Sequence, residues 1–235
     1  MALKSKTKNQ KKIMNKTLKI FLGILITFIV LVLSSGFEIS IKSIFETIPM
    51  GVGSQIGILI ISIILIFIFS KKRIIEFNFG KVKLQQLILP IGLTVFLLII
   101  RQLIPMVLGN EEHPVAVSMS LVQKLIFIVV LASLGEELLF RGFLQNMLNP
   151  IKSYGINLYK IRLSLPVIIS GILFGIMHFA MIGAGASFNF VIQIVISGIF
   201  LGMIAGYFQE KHNNFTYAFI VHMTANLSGL ILSMM

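Results

Sequence analysis

Gly135-Glu136-Glu137-Leu138-Leu139-Phe140-Arg141 closes an apolar run that opens near Leu121. Two adjacent carboxylates in such surroundings need partners, since an ionisable side chain at bilayer depth costs about 2.5 to 3.5 kcal/mol on insertion scales. On a helix, Glu137 and Arg141 stand at i and i+4 with the acid N-terminal to the base, the order that favours an ion pair. Glu136 points roughly 100° away and is left without that cation. A carboxylate without a counter-charge in low dielectric is the one suited to take and return a proton. The spacing therefore assigns Glu136 as candidate base and Glu137 as candidate strut.

The rest of the chain supplies the bilayer. Of 235 residues, 57% are hydrophobic and 12% charged, and the mean hydropathy is +0.98, which marks a polytopic membrane protein. Seven apolar stretches, near 18–35, 51–70, 85–109, 119–140, 163–182, 188–208 and 216–234, each approach the ~20 residues that cross a bilayer. The expected fold is all-α, a transmembrane bundle of seven or eight helices. The first stretch has the basic start of a secretory signal, but six more follow it and no A-x-A-like site is present, so it is read as a retained anchor.

Composition excludes several chemistries. There is no Cys, hence no disulfide, thiolate metal site or Cys nucleophile, and all eight acidic residues are Glu. Without Asp there is no intramembrane aspartyl protease and no Ser-His-Asp triad. The net charge of +12 is concentrated at one end: Lys4, Lys6, Lys8, Lys11, Lys12, Lys16 and Lys19 precede the first span. Such a tail, residues 1–19, holds anionic lipid and sets orientation; nothing suggests a nucleic-acid partner. Positive charge recurs at Lys71 to Lys83, Lys152 to Arg162 and Glu210-Lys211-His212, alternating with loops that lack it, such as Glu111-Glu112-His113. The positive-inside rule then puts the N-terminus in the cytoplasm of a multi-pass protein of the cell membrane.

Small residues point to close helix contacts. Gly198, Gly202 and Gly206 repeat every four positions in the sixth span, and Gly171 with Gly175 does so in the fifth. Pro90, Pro105 and Pro166 are expected to kink or start their helices.

Few strongly polar side chains remain deep in apolar sequence: Glu136, Glu137, Arg141, His178, His222 and Asn226. They fall in three spans, and His222 and Asn226 share one helix face. A single buried His is commonly a structural group, but two His beside two Glu suggest a shared site. Comparable depth requires the fourth helix to run on through an amphipathic 141–147, the fifth to start at Pro166 and the seventh to start near His212. His113 and His212 are read as loop residues without a role.

At these positions the chain resembles the CPBP intramembrane proteases, which group CAAX prenyl endopeptidases with bacteriocin-processing and bacteriocin-immunity (Abi-type) membrane proteins. The residues that carry the resemblance are Glu136-Glu137-x-x-x-Arg141, Phe174-x-x-x-His178 and His222-x-x-x-Asn226, in order on successive spans. It covers roughly 119–235, a catalytic bundle preceded by N-terminal spans over 20–118. The resemblance implies hydrolysis of a peptide bond in a membrane-embedded or lipidated substrate. Glu136 would activate a water held by His178, His222 and Asn226 would donate to the oxyanion, and Glu137, Arg141 and Phe174 would support them. The metal-independent form, with no cofactor, is preferred; a zinc ion, if used, would be held by His178, His222 and Glu136. A non-catalytic immunity or scaffold protein on the same fold, and a proton-coupled transporter, are the competing classes.

Overall fold

The structure is a computed structural model and describes residues 14–103 and 115–234. Seven helices dominate it: α1 (Lys16–Ile44), α2 (Val52–Lys71), α3 (Leu84–Leu103), α4 (121–147), α5 (Leu165–Ile176, tightening into a 3₁₀ segment Met177–Ala184), α6 (Phe188–His212) and α7 (Phe215–Leu232). Six of these, α5 counted with its 3₁₀ segment, are long and apolar enough to cross a membrane, and α4 is a seventh, mixed α and π helix among them. The fold is an all-α polytopic bundle, as the apolar stretches imply. Pro105 and the Glu111-Glu112-His113 loop lie outside the described residues.

The burial pattern suits lipid rather than water. Thr27, Ser34, Ser62 and Thr94 turn inward, whereas Phe28, Phe67, Ile88 and Phe96 are exposed on the outer faces of α1 to α3. Two of these hydroxyls bond carbonyls of their own helices, Thr27 to Gly23 O and Thr94 to Pro90 O, each at 2.8 Å, whereas Ser34 Oγ and Ser62 Oγ have no partner among the described residues. Pro166 sits in the first turn of α5, where its missing N–H is harmless.

α4 is the axis. Leu139, Phe140, Phe143, Leu144, Met147 and Leu148 are fully buried, enclosed by α1, α2, α5 and α6. The 141–147 segment keeps a polar side, with Gln145 and the partly exposed Asn146 lining a cavity shared with Lys152, Gln209 and Glu210; Gln145 is itself buried and donates to Gly206 O on α6. Within α4, two π-helical stretches, Lys124–Ala132 and Leu138–Leu144, flank a short α-helical Ser133–Glu137. π-helical turns recur at functional sites, and here they bracket the paired carboxylates.

The basic segments gather at one end of the bundle. The 72–83 loop joins the α6–α7 turn through Phe215 N–H to Asn78 O (2.8 Å) and Thr216 Oγ1 to Gly80 O (2.8 Å), and Lys19 at the start of α1 donates to Ile74 O. The α4–α5 connection meets the end of α6 where Ser164 Oγ donates to Glu210 Oε2 at 2.8 Å. At the opposite end Glu38 caps α2, accepting from Gly51 N–H and Ser54 N–H at 2.8 and 3.0 Å. The α4–α5 connection also contains an antiparallel hairpin, β1 (Gly155–Leu158) and β2 (Ile161–Ser164), which the sequence reading missed. His212 is the last residue of α6, not a loop residue, and stacks on Tyr217 at 4.2 Å.

Candidate active site

α5, α6 and α4 meet where the glycine stripe lies. A Cβ on Gly198 would stand 3.5 Å from His178 Nδ1; on Gly202 it would fall 2.6 Å from Arg141 Nη2; on Gly206, 2.6 Å from Gln145 Oε1. Each glycine of the stripe thus leaves room for one polar side chain of the buried cluster. On the α5 side, a Cβ at Gly175 would collide with Val195 O at 2.5 Å, so the two backbones touch.

Glu137 and Arg141 form the expected ion pair, Nη1 to Oε1 at 3.1 Å, with both side chains wholly buried. The same Oε1 also accepts from His222 Nδ1 at 2.9 Å. Glu137 therefore braces a cation on its own helix and an imidazole on α7, one task more than the i,i+4 spacing reveals. Arg141 lies over the Phe174 ring, 4.5 Å from its centroid, and that ring stands edge-on to His178 and His222 at 5.3 Å each. Phe174 is the apolar wall between the two imidazoles.

The tautomers follow from the partners. His178 Nδ1 faces Phe174 O at 2.9 Å and Gly175 O at 3.3 Å. Carbonyls only accept, so Nδ1 carries the hydrogen and Nε2 of the neutral ring is an acceptor. His222 Nδ1 donates to Glu137 in the same way, turning Nε2 toward Glu136 Oε2 at 3.9 Å. His178 is close enough to Glu136 and His222 to interact with both electrostatically. α7 begins at Phe215, three residues beyond the start that equal depth demands, yet His222 still reaches Glu137; helix ends need not be level for their interiors to meet.

Asn226 is engaged elsewhere. Its Nδ2 donates to Ile128 O and to Ser133 Oγ, both at 3.0 Å, tying α7 to the π-helical part of α4. To serve an oxyanion it would have to exchange one of those bonds.

Glu136 has a partner that spacing within the motif cannot show. Gln55 of α2 donates from Nε2 to Glu136 Oε1 at 2.7 Å. The available signal was composition: Gln55 is the sole amide in an apolar stretch whose other polar residues are serines.

His178 Nε2, His222 Nε2 and Glu136 have donor chemistry suitable for zinc, but among the described residues no group of three or more His, Cys, Asp or Glu is placed to hold a metal ion.

A multi-helix membrane bundle that buries two glutamates, an arginine and a histidine in one bonded cluster, with a second, part-buried histidine across the Phe174 ring, defines an intramembrane polar site of the kind used for chemistry or proton movement. Residues 118–228 match the family described as type II CAAX prenyl endopeptidase Rce1-like. That match contains every motif residue from Glu136 to Asn226, whereas Gln55 lies outside it. No curated protein and no solved structure gives a significant match to the chain.

Proposed function

We propose that this protein is an intramembrane endopeptidase that cleaves a membrane-associated peptide or protein, with Glu136 as the base that activates water. The observation that carries this reading is the unequal partnering of two adjacent carboxylates: Glu137 is matched to a cation, and Glu136 to a neutral amide. A carboxylate held by a neutral donor rather than a cation can still accept a proton.

In this reading, a water between Glu136 and His178 Nε2 gives its proton to the carboxylate and attacks the scissile carbonyl. The developing oxyanion lies near His222, whose Nε2 donates to it when the ring carries a second proton, with Glu137 on Nδ1 as the counter-charge. Glu136 then passes the proton to the leaving amine, so the base is regenerated. Arg141, Glu137 and Phe174 hold the histidines in place. The reaction consumes one water and needs no other reactant.

Proteolysis for processing a secreted peptide, or for self-protection against one, fits a membrane site of this kind. The experiment compares peptide termini in membrane fractions of cells that make the wild-type protein with those of cells that make Glu136→Gln. New termini confined to the wild type support hydrolysis; identical sets of termini in the two contradict it.

A further inference from the structure

We infer that Gln55, outside the matched region, is a positioning residue that selects and aims the basic oxygen of Glu136. The inference rests on the reading of Glu136 as the base. Its physical ground is independent of the family motifs.

Three observations converge on Gln55. Its Nε2 stands 2.7 Å from Glu136 Oε1, a short contact for an amide with a carboxylate. The backbones of α2 and α4 pass close beside the base: a Cβ added at Gly135 would meet Gln55 O and Leu59 N at 3.4 Å, in van der Waals contact. And Gln55 Oε1 is buried with no partner among the described residues. An amide retained only to tie two helices together would have both ends bonded, because an unsatisfied buried acceptor is unfavourable. Here the side chain is committed to one carboxylate oxygen.

The consequence is directional. With Oε1 occupied by Gln55, Oε2 is the oxygen that faces His222 at 3.9 Å and remains open to a water. Rotation of the carboxylate about its last torsion would exchange the two oxygens, and that torsion is soft in the absence of a fixed donor. Gln55 removes the freedom without supplying a charge. Lys or Arg in its place would pair with Glu136 as Arg141 pairs with Glu137, and would hold the proton acceptor out of reaction. The neutral donor on α2 and the Arg141 cation one turn along α4 together divide the labour between the two glutamates.

The test uses full-length protein in lipid nanodiscs and a quenched peptide ending in a farnesylated Cys-a-a-X sequence. Gln55→Met preserves the length and removes the donor. It should lower kcat by roughly tenfold or more, since loss of orientation acts on the reacting geometry, with KM changed by less than about twofold. In a Glu136→Gln background the same change should add no further loss. The second measurement is infrared: the carboxyl band that disappears in Glu136→Gln should shift in Gln55→Met, which a purely structural role for the amide would not require. An unshifted band, or wild-type kcat in Gln55→Met, overturns the inference. Should wild type leave this peptide intact, that substrate is wrong for the enzyme, and the infrared band alone decides on Gln55. Should Gln55→Met not fold, Gln55→Ser, too short to reach Oε1, is read by the same two measurements.

Discussion

At the residue scale, the two glutamates differ by partner and not by depth. The i,i+4 rule exposed the Glu137–Arg141 pair from the sequence, because both members lie on one helix. It could not expose Gln55 or the Glu137–His222 bond, which join residues 81 and 85 positions apart. The additional bond changes what a mutation at Glu137 should do. Glu137→Gln leaves a buried guanidinium without its counter-charge, and breaking such a pair is worth about 3 to 5 kcal/mol, so the protein should melt at lower temperature or accumulate poorly. The double change Glu137→Gln with Arg141→Met removes both charges and should recover most of that stability. Hydrolysis should not recover with it, because His222 still lacks the carboxylate that orients its ring. A double variant as active as wild type would show that Glu137 serves Arg141 alone.

At the scale of elements, α6 is a scaffold whose glycines are sized for particular neighbours. The repeat of Gly198, Gly202 and Gly206 was legible as a contact stripe, but which polar side chain each one admits depends on the placement of α4 and α5. Gly202→Ala sets a methyl group against Arg141 Nη2 and, at 2.8 Å, against Gly171 Cα, and only the first of these can yield. Overpacking of this type is worth about 1 to 3 kcal/mol, read as a lower melting temperature in detergent, with Gly229→Ala, which meets nothing within 4 Å, as the neutral comparison. Equal losses in both variants would mean that the stripe carries no special role. The π-helical turns of α4 and the 155–164 hairpin escaped the sequence for a simpler reason. Apolar composition alone does not separate α from π winding, and the hairpin turns at Tyr159, with φ of +54°, without the Asn-Gly or Asp-Gly signal that marks most short turns.

At the scale of the whole molecule, hydropathy and charge were enough for a helical bundle and for which loops share an end, since the bilayer imposes both. The bonds linking the 72–83 loop, the α4–α5 connection and the α6–α7 turn show that shared end directly. Which compartment it faces is a separate matter, and the chain is convenient for settling it because it contains no cysteine. Single cysteines placed at Arg73 and at Lys160 should both react with a membrane-impermeant maleimide only after the cells are opened, as a cytoplasmic N-terminus requires. Labelling of either one in intact cells would contradict that orientation. The central claim is that Glu136 performs the hydrolysis on which this architecture converges. Its most direct test is the rate at which purified, reconstituted protein cleaves a peptide whose terminus changed in the membrane comparison, measured for wild type and Glu136→Gln at matched melting temperature. Loss of the proton acceptor should lower that rate by at least about 10². Glu136→Gln that cleaves at the wild-type rate would contradict the account.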